Sequence, residues 1–226
     1  MATPLLDPHL PKPPAAPKLP AWLETTDRDA VLDLEGELEG LRLDEVDLGD
    51  DDLASSSWSK IAAQGLGMAD ADVARAIMTD IELDAPDLAN ASFHNAALTR
   101  VAWRGGRALG VSLLEATLRD CAFEGMRFDM ARMRYARLTR VTFTNCELHD
   151  TDLSHAQLTD VVFNGCDLSR VDISRATFKR CEIRSCQLEG VRGMISLTGV
   201  RMSFLDVVDV APLFAQAIGV RIHDLD

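Results

Sequence analysis

The sequence predicts an all-β fold, a quadrilateral parallel β-helix of about eight 20-residue coils closed at its C-terminal end by a short helix. Three observations lead there. From Leu38 to Leu188 a bulky apolar residue returns at every fifth position, and of the 31 positions in phase only Ala63 and Ala108 are smaller than valine. Two residues before most of them stands a compact side chain, as at Ala91, Ala96, Val101, Ala116, Cys121, Ala131, Ala136 and Cys146. A period of five fits neither the 3.6 of an amphipathic helix nor the 2 of a strand. Two inward positions spaced by two, then a pair of outward ones, describe a short extended segment and a turn. Such segments in series wind into a solenoid.

The third observation fixes the length of a coil. Sampled every 20 residues, one outward position reads Lys60, Asp80, Arg100, Asp120, Arg140, Asp160 and Arg180, with the sign alternating throughout. Four repeats per coil stack these side chains at the inter-strand spacing of about 4.8 Å, each beside its opposite. Spacings of 15 or 25 residues do not order the charges. Each exposed pair is worth only about 0–1 kcal/mol, but a slipped register would set like charges together.

Element by element, residues 1–20 hold seven of the nine prolines and read as a Pro-rich disordered tail, with no apolar run of signal-peptide or membrane length. Residues 21–37 are an acidic, Leu-bearing lead-in and cap. The β-helix occupies 38–200. Ser55 to Ala69 follows the phase least well, and a loop or short helix is expected to interrupt the wall there. Folded on a period of 20, Trp103, Phe123, Phe143 and Phe163 form one interior ladder, and Cys146, Cys166 and Cys186 another. Beyond Leu188 the phase slips by one, to Leu197, Met202 and Val207. Residues 201–226 form a C-terminal cap and dimerisation element: a helix capped by Asp209, with Pro212 in its first turn and Gly219 at its stop, then a final strand at Val220-Arg221-Ile222. Phe204, Leu205, Val208, Leu213 and Phe214 supply apolar surface to close the solenoid and meet a second copy.

Runs such as Val46-Asp47-Leu48-Gly49-Asp50, Thr151-Asp152-Leu153-Ser154-His155 and Cys166-Asp167-Leu168-Ser169-Arg170 resemble the A(D/N)LXX unit of pentapeptide repeat proteins. The resemblance covers about residues 38 to 200. It implies a right-handed quadrilateral β-helix and, often, a homodimer. It also implies an alternative role, because Qnr-type quinolone-resistance members of that family imitate DNA and bind DNA gyrase.

The net charge of -13 is unevenly spread: residues 1–95 carry 20 acidic and 6 basic side chains, residues 96–226 carry 16 and 17. Asp44, Glu45, Asp47, Asp50, Asp51 and Asp52 form an acidic patch open to a partner. A DNA mimic needs acid along most of its length to satisfy a phosphate-binding surface, and this chain supplies it over one half. The cluster Arg127, Arg132, Arg134, Arg137 and Arg140 lacks interleaved aromatics, so no direct nucleic-acid contact is expected.

All five cysteines, Cys121, Cys146, Cys166, Cys181 and Cys186, fall on the compact inward position and read as small core residues. Their odd number fits reduced thiols in a cytoplasm. No zinc-type spacing, phosphate loop or nucleophile with its base is present, so no catalytic residue, metal or cofactor is assigned. His149, Asp150 and His155 at neighbouring corners read as solvated turn residues. The expected function is non-enzymatic: a scaffold or protein-interaction module with an unidentified partner, the gyrase-binding DNA mimic being the alternative. No membrane association is expected.

Overall fold

The computed structural model of the protein describes residues 10–221. The chain winds into a parallel β-solenoid of about nine turns. It opens with β1 (Glu24–Thr25) and the short helix α1 (Arg28–Asp33), whose N-terminus is capped by the Asp27 side chain. Val31 of α1 is buried and covers the first coil, formed by β2 (Glu37–Glu39) and β3 (Leu41–Asp44).

Six coils follow in strict register, with β4 at Ser57–Gln64, β5 at Ile77–Asp84, β6 at Ala97–Arg104, β7 at Thr117–Glu124, β8 at Arg137–Thr144 and β9 at Gln157–Asn164. Each eight-residue strand spans two adjacent walls and bends at its middle residue. On either side of the bend each residue pairs with the one 20 positions on: Trp58 with Met78, Val101 with Cys121, Phe143 with Phe163. The two remaining walls are made by shorter parallel bridges such as Arg127 to Glu147 and Asp152 to Asp172. The coil is therefore four-sided. The last coil splits into β10 (Thr177–Lys179) and β11 (Glu182–Arg184), and a 3-10 turn (Met194–Leu197) and β12 (Arg201–Met202) lead to helix α2 (Phe204–Ala217).

Corners explain the period of five. Corner residues such as Asp50, Lys60, Asp80, Arg100, Asp120 and Arg140 have φ between +53° and +61°. This left-handed region costs a residue other than glycine roughly 1–2 kcal/mol. The cost is offset by the two inward side chains each segment buries. Trp103, Phe123, Phe143 and Phe163 stack with ring centroids 5.0–5.1 Å apart, and Phe128 meets Phe123 edge-on at 5.3 Å. The compact inward positions also bond across coils: Cys121, Cys146, Cys166 and Cys181 each point Sγ at a carbonyl 23 residues back, as Thr151 does with Oγ1. All five cysteines are free.

Several expectations need correction. The wall runs unbroken through residues 55–69: Gly65 takes a corner at φ +63°, and the odd inward Ser56 is satisfied by donating to Leu53 O while accepting from Trp58 Nε1. Helix α2 begins five residues before Asp209-Val210. Its cap is Ser203, in a reciprocal capping box with Asp206, so Pro212 lies inside the helix rather than in its first turn. Val220 and Arg221 form no strand, and Ile222 lies outside the described residues.

Candidate functional site

The most distinctive surface is the corner between the two walls of each long strand. Here the alternating column resolves into three ion pairs. Arg100 grips Asp80, Arg140 grips Asp120 and Arg180 grips Asp160, each through two hydrogen bonds of 2.6–2.7 Å reaching back one coil. Lys60 turns away from Asp80 to Glu39, at 2.5 Å. Asp80, Asp120 and Asp160 are themselves buried. In each, the hydrogen-bonded guanidinium is the chief cause of a carboxyl pKa held below the ordinary range, opposed by desolvation.

Each of these carboxylates has a second donor, and it comes from the N-terminal segment. Lys18 N donates to Asp80 Oδ1 at 2.8 Å, Ala15 N to Asp120 Oδ1 at 3.1 Å, and Lys12 N to Asp160 Oδ1 at 3.2 Å. Residues 10–20, expected as part of a disordered tail, are instead laid along the corner, running opposite to the coil order. Geometry explains the fit. Donors recur every three residues and acceptors every 40, which is two coils. Three residues of polyproline II rise about 9.3 Å, and two coils advance about 9.6 Å. The prolines fall in the same rhythm: Pro11, Pro14 and Pro17 are half-buried, while Lys12, Pro13, Ala15, Ala16 and Lys18 stay exposed. The walls beside the corner present Thr99, Thr139 and Thr159 on one side and Ala102, Ala122 and Val162 on the other, and Ala102 is only 3% exposed although it points outward from β6.

The acidic patch is partly consumed by structure. Asp51 forms two hydrogen bonds with Arg28 of α1, Asp47 and Asp52 accept from the backbone of Gly49 and Ala54, and Arg42 lies 4.0 Å from Asp44. The five apolar residues at the C-terminal end divide. Leu213 and Phe214 pack on the core, whereas Phe204 and Leu205 are 80% and 72% exposed and Val208 is half exposed.

The histidines also part company. His155 rests against the ring of Tyr135 at 4.8 Å. His149 is more than a solvated turn residue: its Nδ1 lies 2.6 Å from Oδ1 of Asp129, a carboxylate only 2% exposed. That oxygen receives no well-aligned hydrogen bond. Burial pushes the Asp129 carboxyl upward, against the attraction of His149. Among the described residues no cluster of His, Cys, Asp or Glu has the arrangement of a metal site, and no helix is long and apolar enough to cross a membrane.

Fold and corner together define a β-solenoid repeat protein whose outer wall holds an extended peptide. Residues 108–152 match the family profile for pentapeptide repeats (9 copies), and residues 136–199 match that for a pentapeptide repeat region. Together the two matches span residues 108–199, so that part of the chain is built of pentapeptide repeats. Among solved structures it is similar to a trypsin-treated form of QnrB1, a plasmid-mediated fluoroquinolone resistance protein, at 20% identity over 83% of this chain and 91% of the other, with a TM-score of 0.47. It is also similar to HetL from the cyanobacterium Nostoc sp. strain PCC 7120, a pentapeptide repeat protein involved in heterocyst differentiation regulation, at 16% identity over 74% and 92% of the two chains and a TM-score of 0.27. No curated protein matches the chain in sequence.

Proposed function

We propose that the protein is a non-enzymatic interaction module that presents the rigid walls of its solenoid to other polypeptides. One observation carries this reading: the corner column already binds a peptide, the chain's own residues 10–20, through three backbone hydrogen bonds to buried carboxylates. The reading includes a second copy of the chain at the C-terminal end, supported by the exposed Phe204, Leu205 and Val208, and a cytoplasmic setting, supported by the five free thiols.

The test is capture of partners by the tagged full-length protein from its host lysate, with recovery compared at moderate and high salt. A protein retained at high salt, and lost when outward residues of one wall are changed, is the expected result. Recovery of nothing except the chain itself would overturn the reading. The concentration of acid on the first coils favours a second reading, a gyrase-binding DNA mimic. It predicts capture of gyrase that collapses with salt and with Asp44→Lys plus Asp50→Lys. Further along the solenoid, acids are matched on their own columns by arginines, as in Asp87 with Arg107, Glu147 with Arg127 and Asp150 with Arg170. That neutralisation weakens the imitation of a phosphate backbone.

A further inference from the structure

We propose that the Asp80–Asp120–Asp160 corner is a general docking groove for polyproline-II segments, and that the chain's own tail is an exchangeable occupant which a proline-rich segment of a partner protein displaces. The proposal rests on the interaction-module reading and names the chemistry of the ligand.

The groove selects for conformation before it selects for sequence. Its acceptors are single oxygens about 9.6 Å apart, so a ligand matches several of them only if its amides recur at that interval. A β-strand rises about 3.3 Å per residue, and three residues of it overshoot to about 9.9 Å. Over the two intervals from Asp160 to Asp80, the strand drifts about 0.6 Å out of register and polyproline II the same amount in the other direction. Rise alone therefore does not decide; rotation does. A strand turns its amides to opposite sides at successive residues, so donors three apart face opposite ways. Polyproline II has three residues per turn, which returns donors at positions 12, 15 and 18 to one side.

Sequence requirements follow. In the resident peptide each donor directly follows a half-buried proline: Pro11-Lys12, Pro14-Ala15, Pro17-Lys18. A ligand needs proline at every third position, and any residue with an N–H after each. Lys12 and Lys18 add attraction to Asp160 and Asp80 respectively, so basic residues at the two outer positions are favoured. The ligand class is thus a Pro-x-x repeat of at least three units with Lys or Arg at its ends.

The groove is built to stand without its occupant. Each carboxylate keeps its two arginine bonds when the peptide leaves, and the buried apolar core begins at Val31, beyond the tail. Release therefore orphans no buried charge. The tail nevertheless competes strongly, because tethering gives it an effective concentration of order millimolar.

The experiment uses full-length protein and a fluorescein-labelled peptide with the sequence Leu10 to Pro20, followed by anisotropy. In one variant Lys12→Pro, Ala15→Pro and Lys18→Pro remove the three donors from the tethered tail while keeping its polyproline-II bias. That variant should bind the peptide at least about tenfold more tightly than the wild-type chain does. Adding Asp80→Ala, Asp120→Ala and Asp160→Ala should remove that binding; single Asp→Ala replacements, each of which should weaken it severalfold, serve instead where circular dichroism shows lost β structure. A peptide carrying the three proline replacements should not bind. Equal peptide affinity for wild type and the tail variant, or binding that survives loss of the three carboxylates, would overturn the groove. Overturning it while lysate capture still returns a wall-dependent partner would leave the module reading intact; an empty capture beside a positive peptide titration would indicate a groove that serves only the protein's own tail and would overturn the exchange.

Discussion

Replacing Ala15 with proline isolates one hydrogen bond of the docked tail. Ala15 donates its N–H to Asp120 Oδ1 at 3.1 Å, and its side chain faces solvent. Proline fixes φ near the polyproline-II value and removes only the donor. A hydrogen bond to a charged acceptor contributes about 1.5–3 kcal/mol. Asp120 retains both bonds from Arg140, so no acceptor is stranded. The lower end of that range applies, and stiffening the detached tail returns about 0.4–1 kcal/mol of entropy to the variant. The net loss is then about 1 kcal/mol, or roughly fivefold in the docking equilibrium. Native-state hydrogen exchange read by NMR at the Lys12 and Lys18 amides should show a matching loss of protection. The urea midpoint should fall only slightly, by the equivalent of that roughly 1 kcal/mol, since the tail docks on the folded chain alone and none of its residues belongs to the core. Ala16→Pro is the control, because no carboxylate of the column receives the Ala16 amide. If Ala16→Pro loosens the tail as much as Ala15→Pro, or if neither does, the commensurate hydrogen-bonding argument is wrong.

Three further outcomes are expected. Gly106→Ala places a Cβ 2.3 Å from Pro86 O at a residue with φ +84°, whereas Gly105→Ala meets nothing within 4 Å at φ +61°; the first should lower stability by about 3 kcal/mol or more and the second by about 1–2 kcal/mol, and equal urea midpoints would contradict the packing described. Burial raises the Asp129 carboxyl in the folded chain, so the fold binds that proton more readily than the unfolded chain does. Stability from this group is therefore gained as pH falls from above the folded pKa toward the unfolded value of about 3.9. Asp129→Asn should raise the thermal midpoint at neutral pH, by an amount that shrinks on acidification; a variant less stable at pH 7 would show that the His149 attraction outweighs desolvation. Phe204→Glu with Leu205→Glu should convert a dimer to a monomer in light scattering while leaving the circular dichroism unchanged, and a wild-type chain already monomeric at high concentration would remove the C-terminal pairing.

What the sequence made legible was whatever obeys a local period. The inward series from Leu38 to Leu188 and the 20-residue coil are visible in single side chains, because each inward slot and each corner is filled by one residue. Within the wall, the departure that misled is one where a polar group is satisfied nearby: Ser56 looks foreign in an inward slot until Leu53 O and Trp58 Nε1 are found beside it. The helix start was also within reach, since Ser203 and Asp206 stand three apart as a capping pair. The same 20-residue arithmetic, applied to other outward positions, would have found Asp150 with Arg170 at a corner and Asp87 with Arg107 on a wall. The docked tail was not legible. No residue in 10–20 announces a partner more than 60 positions away; the match lies between the pitches of two different helices, and neither pitch is written in one residue.

A solenoid normally transmits mechanical and thermal disturbance only from coil to coil, so its segments open almost independently. The tail changes that connectivity, because a single stretch of backbone is fastened at the coils of Asp80, Asp120 and Asp160. Like a splint across a stack of rings, it obliges the enclosed coils to loosen together. The coil of β10 and β11 lies beyond the last fastening, and breathing of the molecule should begin there, with the exchange of its amides outpacing that of the splinted middle.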